Sequence, residues 1–516
     1  MPEAAIVNID WAMAAPLLIL TATACLILLA CALPAARGTG SRRGFVLSLV
    51  GLVAALVATG RLADTSRQMS TLGGMLVMDR AALFMIHIVL AAAILAVLLS
   101  AQFLERSPIP AGEYHALLLF AALGMVIMAA TNNLLVLFLG LEVFSVALYI
   151  LAGIARDWLR CIEASMKYFL LGAFSTGFIL YGMAFLYGAT GSLDMMEIGR
   201  ALTPVTGGVL PGNTLLVLAG CGLMIIGLVF KVGAVPFHWW VPDVYEGTPT
   251  PVTAFMAVGT KGVAFVALIR LVTVAFGDVL VWRWTVVLGV LALMSMAVGN
   301  IVALTQRNVK RMLAYSSVAH AGYLLVAVAC GSDLGTGALL FYFASYLLTT
   351  LGAFGVVSLV AETGPDGDEG MGLLRFTGLG RRNPMLAFAM AVFMLSLTGV
   401  PPTSGFVGKY FIFQAAMQRA LQPGGGLFMI LALAGMLLSV VSAAYYLRVV
   451  VAMYMQEPDG APVEVRPKMA AALAIGLTVA GILALGLYPT PIYDLTHNIH
   501  SALQALAAVL AGQGAW

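Results

Sequence analysis

Four ionisable side chains stand in runs of sequence where a charge is costly. Glu142 lies in LLVLFLGLEVFSVALYIL, Lys231 in MIIGLVFKVGAVPF, Lys261 in FMAVGTKGVAFVALI and Lys409 in TSGFVGKYFIF. Each costs roughly 2.5–3.5 kcal/mol at the centre of a membrane helix. A structural Glu–Lys pair would explain Glu142 and one lysine, leaving two lysines without an obvious buried acid. The chemistry open to such a set is proton transfer. Hydrocarbon around a lysine favours its neutral form, and a nearby glutamate restores the charged one. At about 6 Å and an effective dielectric near 20 that attraction is roughly 3 kcal/mol. A small movement of Glu142 could therefore load or unload Lys231, with no cofactor involved. Two histidines could assist as relays near neutral pH. His238 follows Pro236, and His320 lies in LAYSSVAHAGYLL beside Tyr315, Ser316, Ser317 and Tyr323. For either one, hydrogen-bonded packing is the plainer alternative.

These residues need apolar helices to hold them, and the composition supplies little else. Of 516 residues 62% are hydrophobic and only 9% charged, against about 25% charged in an ordinary soluble domain. Mean hydropathy is +1.02. A soluble enzyme, a nucleic-acid binder and a disordered scaffold are excluded. A transmembrane β-barrel is excluded too, because its strands alternate in polarity over about ten residues. The five cysteines form no CxxC or CxxxC, and no glycine-rich nucleotide motif opens a strand–helix unit, so no metal or nucleotide site is expected. The start, MPEAAIVNIDWA, lacks the basic flank of a cleaved signal peptide, so the first apolar run is expected to be a permanent helix.

The expected fold is an all-α polytopic membrane protein of about 14 transmembrane helices. The apolar segments lie near 13–34, 43–61, 80–103, 114–131, 133–154, 163–189, 212–235, 250–276, 284–305, 310–330, 335–361, 385–413, 426–454 and 468–488. Loop charges set the orientation. With the N-terminus outside, 16 of the 26 Lys and Arg residues fall in cytoplasmic loops and 6 in outer loops, while Lys231, Lys261, Arg270 and Lys409 lie within helices. An even helix count places both termini on the outer, periplasmic side. The stretch 362–382 is expected to be an exposed connection. The tail 495–514 could be an interfacial helix, with His497 and His500 at the surface.

Segments seven and twelve are unusual. Each carries Gly, Val and Pro in mid-membrane, as GAVPF (233–237) and GVPPT (399–403). Proline removes a backbone donor and disturbs the preceding turn, so both helices are expected to be broken, Lys231 just before one break and Lys409 just after the other. The two segments are five helices apart, which suggests two inverted five-helix repeats. Paired interrupted helices of this kind point to a transport site. The domain reading is then one transmembrane unit: 1–110 as helices 1–3, 114–276 as the first repeat, 284–454 as the second, and 468–516 as helix 14 and the tail.

Several runs carry a family resemblance. VPFHWWVPDVYEGTPTPVTAFMAVGTKGVAFVALIRL (235–271), LGLEVFSVALYILAG (139–153), EASMKYFLLGAFSTGFILYGMAFLYGATGSL (163–193), NVKRMLAYSSVAHAGYLL (308–325) and LSLTGVPPTSGFVGKYFIFQAA (395–416) resemble the subunit-N family of NADH–quinone oxidoreductases, respiratory complex I. The wider group includes subunits L and M and the subunits of multisubunit cation/proton antiporters. The stretch PDVYEGTPTPVTAF favours N. The likeness runs from about 115 to 455. HWWVPD carries a second Trp where relatives vary, and the first hundred residues match no family motif.

The resemblance implies a non-redox, proton-translocating subunit of the enzyme's membrane arm. It implies that the glutamate of helix 5 pairs with the lysine of broken helix 7, that a lysine of helix 8 continues the axis, and that a charged residue of broken helix 12 faces the exit. Those positions are Glu142, Lys231, Lys261 and Lys409, with supporting roles for His238 and His320. It also implies no cofactor in this chain. NADH, FMN, iron–sulfur clusters and quinone would sit in partner subunits. The partners would be other complex I membrane subunits, antiporter-like subunit M and small membrane subunits among them, and the lipids of a bacterial inner membrane. A subunit of a multisubunit cation/proton antiporter is the alternative.

Overall fold

The computed structural model describes residues 9–32, 40–63, 69–202, 214–276, 281–361, 371–457, 465–497 and 499–504. Arg37, Arg67, residues 362–370 of the long loop and residues 505–516 of the tail lie outside them. The chain is an all-α, multi-pass membrane protein. The helices are α1 (Trp11–Ala32), α2 (Gly40–Ala63), α3 (Arg80–Arg106), α4 (Ala111–Ala129), α5 (Leu134–Ala152), α6 (Leu159–Thr190), α7 (Met195–Leu202), α8 (Thr214–Val232), α9 (Trp240–Gly247) and α10 (Thr250–Arg270). They continue with α11 (Val281–Thr305), α12 (Val309–Ala329), α13 (Asp333–Val360), α14 (Leu379–Arg382), α15 (Pro384–Thr398), α16 (Ser404–Ala420), α17 (Gly426–Met455), α18 (Met469–Leu487) and α19 (Thr490–Thr496). A small antiparallel hairpin, β1 (Met69–Thr71) and β2 (Leu76–Met78), precedes α3.

Thirteen of the described helices are long and apolar enough to cross a membrane. Helices form here because hydrocarbon offers no partner to a backbone N–H or C=O, and a helix satisfies both internally. Their ends carry local signals. Asn133 accepts from the backbone N–H groups of Leu135 and Val136, and Asn308 from those of Lys310 and Arg311, so each starts its helix as an N-cap. Predicted segment twelve divides into two helices, α15 and α16. Predicted segment seven stops at Val232, and α9 begins eight residues later.

The core is α10. Every one of its 21 residues is buried, and α3, α12 and α13 around it are buried along most of their length. A helix apolar on all sides belongs at the centre of a bundle. Helices α1, α2, α17 and α18 form the outside and expose Leu, Val and Met. Where α4 meets α5 the backbones nearly touch: a Cβ on Gly124 would lie 2.4 Å from the Phe144 nitrogen.

One local pattern occurs twice. At the head of α5, Leu134 N donates to Leu193 O at 2.8 Å and Met195 N to Asn132 O at 2.8 Å. At the head of α12, Val309 N donates to Met371 O at 2.9 Å and Leu373 N to Arg307 O at 3.0 Å. Each pair ties the start of a helix to the stretch that follows the next long helix. The recurrence joins α5 and α12, the fifth and tenth long helices.

Two sequence expectations need correction. The described part of the long loop, from 371, is only partly an exposed connection. Met371, Phe376 and Leu379 are buried, because these apolar side chains plug the gap between the head of α12 and α17. His500 is not at the surface either. Ile499 and Leu503 seat the tail in the bundle, which brings His500 Nδ1 to 3.3 Å from Thr336 Oγ1. Ser501 N donates to Asp333 Oδ1 at 2.9 Å. His497 is exposed.

Candidate proton-transfer site

Lys231 ends α8. The next turn is diverted at Gly233, whose φ of +71° favours glycine, and the chain then passes a cis peptide bond at Val235–Pro236. The freed backbone groups find protein partners. Val235 N donates to Ser295 Oγ at 2.9 Å, and the indole of Trp240 donates to Phe230 O at 2.9 Å. The Lys231 ammonium, 1% exposed, donates to Ser145 Oγ at 3.0 Å and Tyr149 Oη at 3.4 Å. It also faces the rings of Phe144 and Tyr149 at 5.8 and 5.7 Å.

Glu142 is half-buried on α5. Its Oε1 accepts from Thr176 Oγ1 of α6 at 2.8 Å. Among the described residues it forms no direct ion pair with Lys231. Ser145, the lysine's partner, is one helical turn further along α5.

Room for Tyr149 comes from one residue of α6. A Cβ on Gly172 would lie 2.0 Å from Tyr149 Oη and 2.7 Å from its Cζ. Gly172→Ala is therefore expected to displace the phenol from Lys231, destabilise the subunit by about 1–3 kcal/mol through overpacking and lower proton uptake. Thermal unfolding and vesicle acidification check both parts. An alanine variant with wild-type stability and uptake would show that the ring has another place to go.

Lys261 sits midway along α10 and is 1% exposed. Its ammonium donates to Ser317 O at 2.7 Å and also to Ser317 Oγ. Tyr346 Oη donates to the same Ser317 Oγ at 3.0 Å. Ser317, His320 and Tyr323 follow at i, i+3 and i+6 on α12, so they share one face. His320 is clasped between two phenols, Tyr342 at 2.6 Å from Nδ1 and Tyr446 at 3.0 Å from Nε2. A neutral imidazole has one donor and one acceptor nitrogen, so one phenol donates to it and the other accepts. Tyr323 completes the face: Lys409 Nζ lies 5.2 Å from its ring centre.

Lys409 folds back onto the break. Its Nζ donates to the carbonyls of Leu397 and Thr398 at 2.8 and 2.9 Å and to Ser439 Oγ at 2.8 Å. Those carbonyls end α15, where the helix has no N–H left for them and carries partial negative charge. The ammonium caps the half-helix with all three of its protons engaged. His238 stands apart. It is buried with its ring 5.2 Å from Trp239, and its Nδ1 has no partner among the described residues.

A second polar cluster lies at the bundle end predicted to face the cytoplasm. Arg311 of α12 donates to Asp243 Oδ1 and Glu246 Oε2, both at 2.8 Å, and Lys167 of α6 donates to Asp243 Oδ2 at 2.7 Å. A cleft lined by Arg160, Glu163, Asp243, Glu246 and Arg311 opens beside them. Burial works against the Asp243 carboxylate, but the hydrogen bonds from Lys167 and Arg311 outweigh it and hold its pKa below the ordinary value. Residue-by-residue cost did not single out these groups, because charges near a helix end reach water cheaply. Among the described residues no group of three or more His, Cys, Asp or Glu could hold a metal.

Comparison with known proteins matches this arrangement to a family. The family described as NADH:quinone oxidoreductase/Mrp antiporter, transmembrane, matches residues 131–442, the region that holds all six candidate residues. The chain belongs to that family. Curated relatives carry the name NADH-quinone oxidoreductase subunit N. The one from Trichlorobacter lovleyi is 45% identical over 88% of this chain and 89% of its own. A subunit N from Roseiflexus castenholzii is 42% identical over 97% of this chain and 98% of its own. A chain of respiratory complex I from Thermus thermophilus, solved with bound aureothin, superposes with a TM-score of 0.76 at 35% identity, covering 93% of this chain and 98% of that one. A chain of the Mrp complex from Dietzia shares the fold, with a TM-score of 0.80 at 20% identity over 98% of this chain and 100% of that one. This family member is an antiporter-like membrane subunit of complex I, and so part of a multisubunit membrane enzyme.

Proposed function

We propose that the chain translocates protons within the membrane arm of NADH–quinone oxidoreductase, through Lys231, Lys261 and Lys409. One observation carries this reading. Three amines are buried at 1–4% exposure, and their described partners are hydroxyls and backbone carbonyls, not carboxylates. A carboxylate at contact distance would pin each ammonium in its charged form. Hydroxyl oxygens serve both forms, because they accept from an ammonium and donate to an amine.

Glu142 supplies the adjustable field. It stands beside Lys231 without contacting it, on an α5 face where Leu139, Val143 and Val146 are exposed. A neighbouring subunit against that face would move or protonate Glu142 and so change the charge preference of Lys231. His320 lies between Lys261 and Lys409 and passes protons between its two phenols. His238 has a supporting role at the break.

The doubled bond pattern at the heads of α5 and α12 supports two inverted repeats, 114–276 and 284–454, flanked by 1–110 and 468–516. Energy arrives from quinone reduction in partner chains, where NADH, FMN and the iron–sulfur clusters sit. The partners are subunit M, small membrane subunits and lipid. The setting is a bacterial inner membrane with both termini periplasmic. The antiporter alternative is weaker, because relatives at 45% and 42% identity carry the name subunit N, whereas the Mrp chain is 20% identical.

The test uses membrane vesicles carrying Lys231→Met. NADH-dependent quinone reduction and proton uptake are both expected to fall at least about tenfold, with the complex still assembled. Unchanged rates and proton yield would make the lysine structural.

A further inference from the structure

At the bundle end predicted to face the cytoplasm, hydrogen bonds tie separate stretches of chain into one ledge. Gly378 N donates to Ala452 O at 3.2 Å, so α14 lies against the end of α17. Asn383 Nδ2 donates to Val465 O at 2.8 Å, which fixes the start of α15 beside the approach to α18. Gln102 of α3 donates to Arg466 O at 3.0 Å and accepts from Lys468 N at 2.7 Å. The ledge carries Arg381, Arg382, Arg466 and Lys468. The described acids that reach it are already engaged. Glu105 pairs with Lys468, and Glu457 accepts from Arg381 at 3.2 Å.

Arg382 is left over. It is half-buried, and its Nε and Nη2 are shut off from solvent with no partner among the described residues. A guanidinium cannot shed its charge, so holding one partly inside a protein without a counter-ion is costly. Two helix starts add to the positive field. α15 begins at Pro384, and α18 begins at Met469 with no side-chain cap, so both turn partial positive charge toward the ledge. The surround is apolar. Leu374, Met385, Met455 and Met469 are 67–87% exposed. α15, packed on both α17 and α18, also exposes Phe388.

We propose that the Arg382 ledge binds the phosphate of an anionic phospholipid, whose acyl chains lie along the exposed side of α15. Basic groups at the cytoplasmic ends of membrane helices suit such headgroups. The phosphate oxygens accept from the guanidinium, which turns outward on its flexible stem, and the chains cover Met385 and Phe388. An acidic protein segment would match the charge but not the apolar surround. The lipid fixes the start of α15, the half-helix whose far end Lys409 caps. This adds a ligand to the membrane placement and does not rest on the proton path.

The test uses the whole complex in nanodiscs with two photoreactive lipids, a phosphatidylglycerol and a phosphatidylcholine, each carrying a diazirine on an acyl chain. Peptides covering 383–391 should take up the anionic probe about fivefold more than the zwitterionic one, the factor that one Arg near an anionic headgroup is worth. Arg382→Gln should remove the preference, and Arg382→Lys, which keeps the charge, should retain most of it. Equal labelling by the two probes overturns the proposal. So does an undiminished preference in Arg382→Gln, or no labelling at all, as when a partner subunit covers the ledge. Millimolar inorganic phosphate should leave the labelling unchanged; displacement would make the occupant a free anion and overturn the lipid reading. Where Arg382→Gln fails to assemble, competition in the wild type decides. Unlabelled phosphatidylglycerol should displace the anionic probe and phosphatidylcholine should not, and displacement by both overturns the proposal. Lys231→Met should label as the wild type does, so the outcome is independent of the proton path.

Discussion

Replacing Lys261 with methionine is expected to abolish coupled proton uptake while leaving the complex assembled. The argument is one of packing. Lys261 lies on a helix buried along its whole length, so bulk water cannot stand in for the missing amine. Methionine is of similar volume and flexible enough to fill the space, but it carries no proton. The partners that remain are not stranded. Ser317 Oγ still receives Tyr346 at 3.0 Å, so the loss of stability should stay near that of one hydrogen bond, about 0.5–1.5 kcal/mol. A path that loses its middle carrier should slow by at least about a hundredfold, which corresponds to roughly 2.7 kcal/mol on the barrier. Vesicle acidification and NADH-dependent quinone reduction, normalised to assembled complex, measure this. A wild-type proton yield would remove Lys261 from the path.

The second large effect falls on stability. Arg270, 0% exposed, donates to Asp79 Oδ1 at 2.7 Å and to Asn132 Oδ1 at 2.6 Å, and Asp79 is only 6% exposed. The same Asp79 oxygen accepts from Ala82 N at 2.8 Å and so starts α3. The cluster ties the end of α10 to α3 and to the turn between α4 and α5. Arg270→Met would leave a carboxylate buried without its partner, which costs about 3–5 kcal/mol. The double change Arg270→Met with Asp79→Asn removes both charges and should recover most of that loss. The thermal midpoint of the purified complex and the amount of subunit retained in membranes report both. Equal stability of Arg270→Met and wild type would mean that water reaches the carboxylate.

The sequence carries a warning about such residues. Arg270 stands in VALIRLVTV and was visible as a charge within a helix. A charge near a helix end reaches water cheaply. The partner that makes it matter, Asp79, is 191 residues away, and nothing local marks the two as a pair.

What the sequence determined by itself is the part governed by transfer energy. Runs of about twenty apolar residues must be helices, since lipid satisfies no backbone group, and every predicted segment is helical, the twelfth as two helices. Glu142, Lys231, Lys261 and Lys409 were legible for the same reason: a charge in hydrocarbon is expensive whatever surrounds it. Proline and glycine stand where α8 ends and between α15 and α16, because their effects on the backbone are local. What only the tertiary structure decided is which groups touch. Lys231 bonds Ser145 and Tyr149 and leaves Glu142 to Thr176. Lys409 turns back eleven and twelve residues onto carbonyls that end another helix. His500 enters the bundle, and His238 stays apart from the lysines. Serine, threonine and tyrosine cost little to place in a membrane helix, so their positions leave no energetic mark along the chain. Their choice of partner depends on how two helices are rotated and how closely they approach. That is set by packing over the whole bundle and by small residues such as Gly172, whose missing side chain makes room for the Tyr149 hydroxyl beside Lys231.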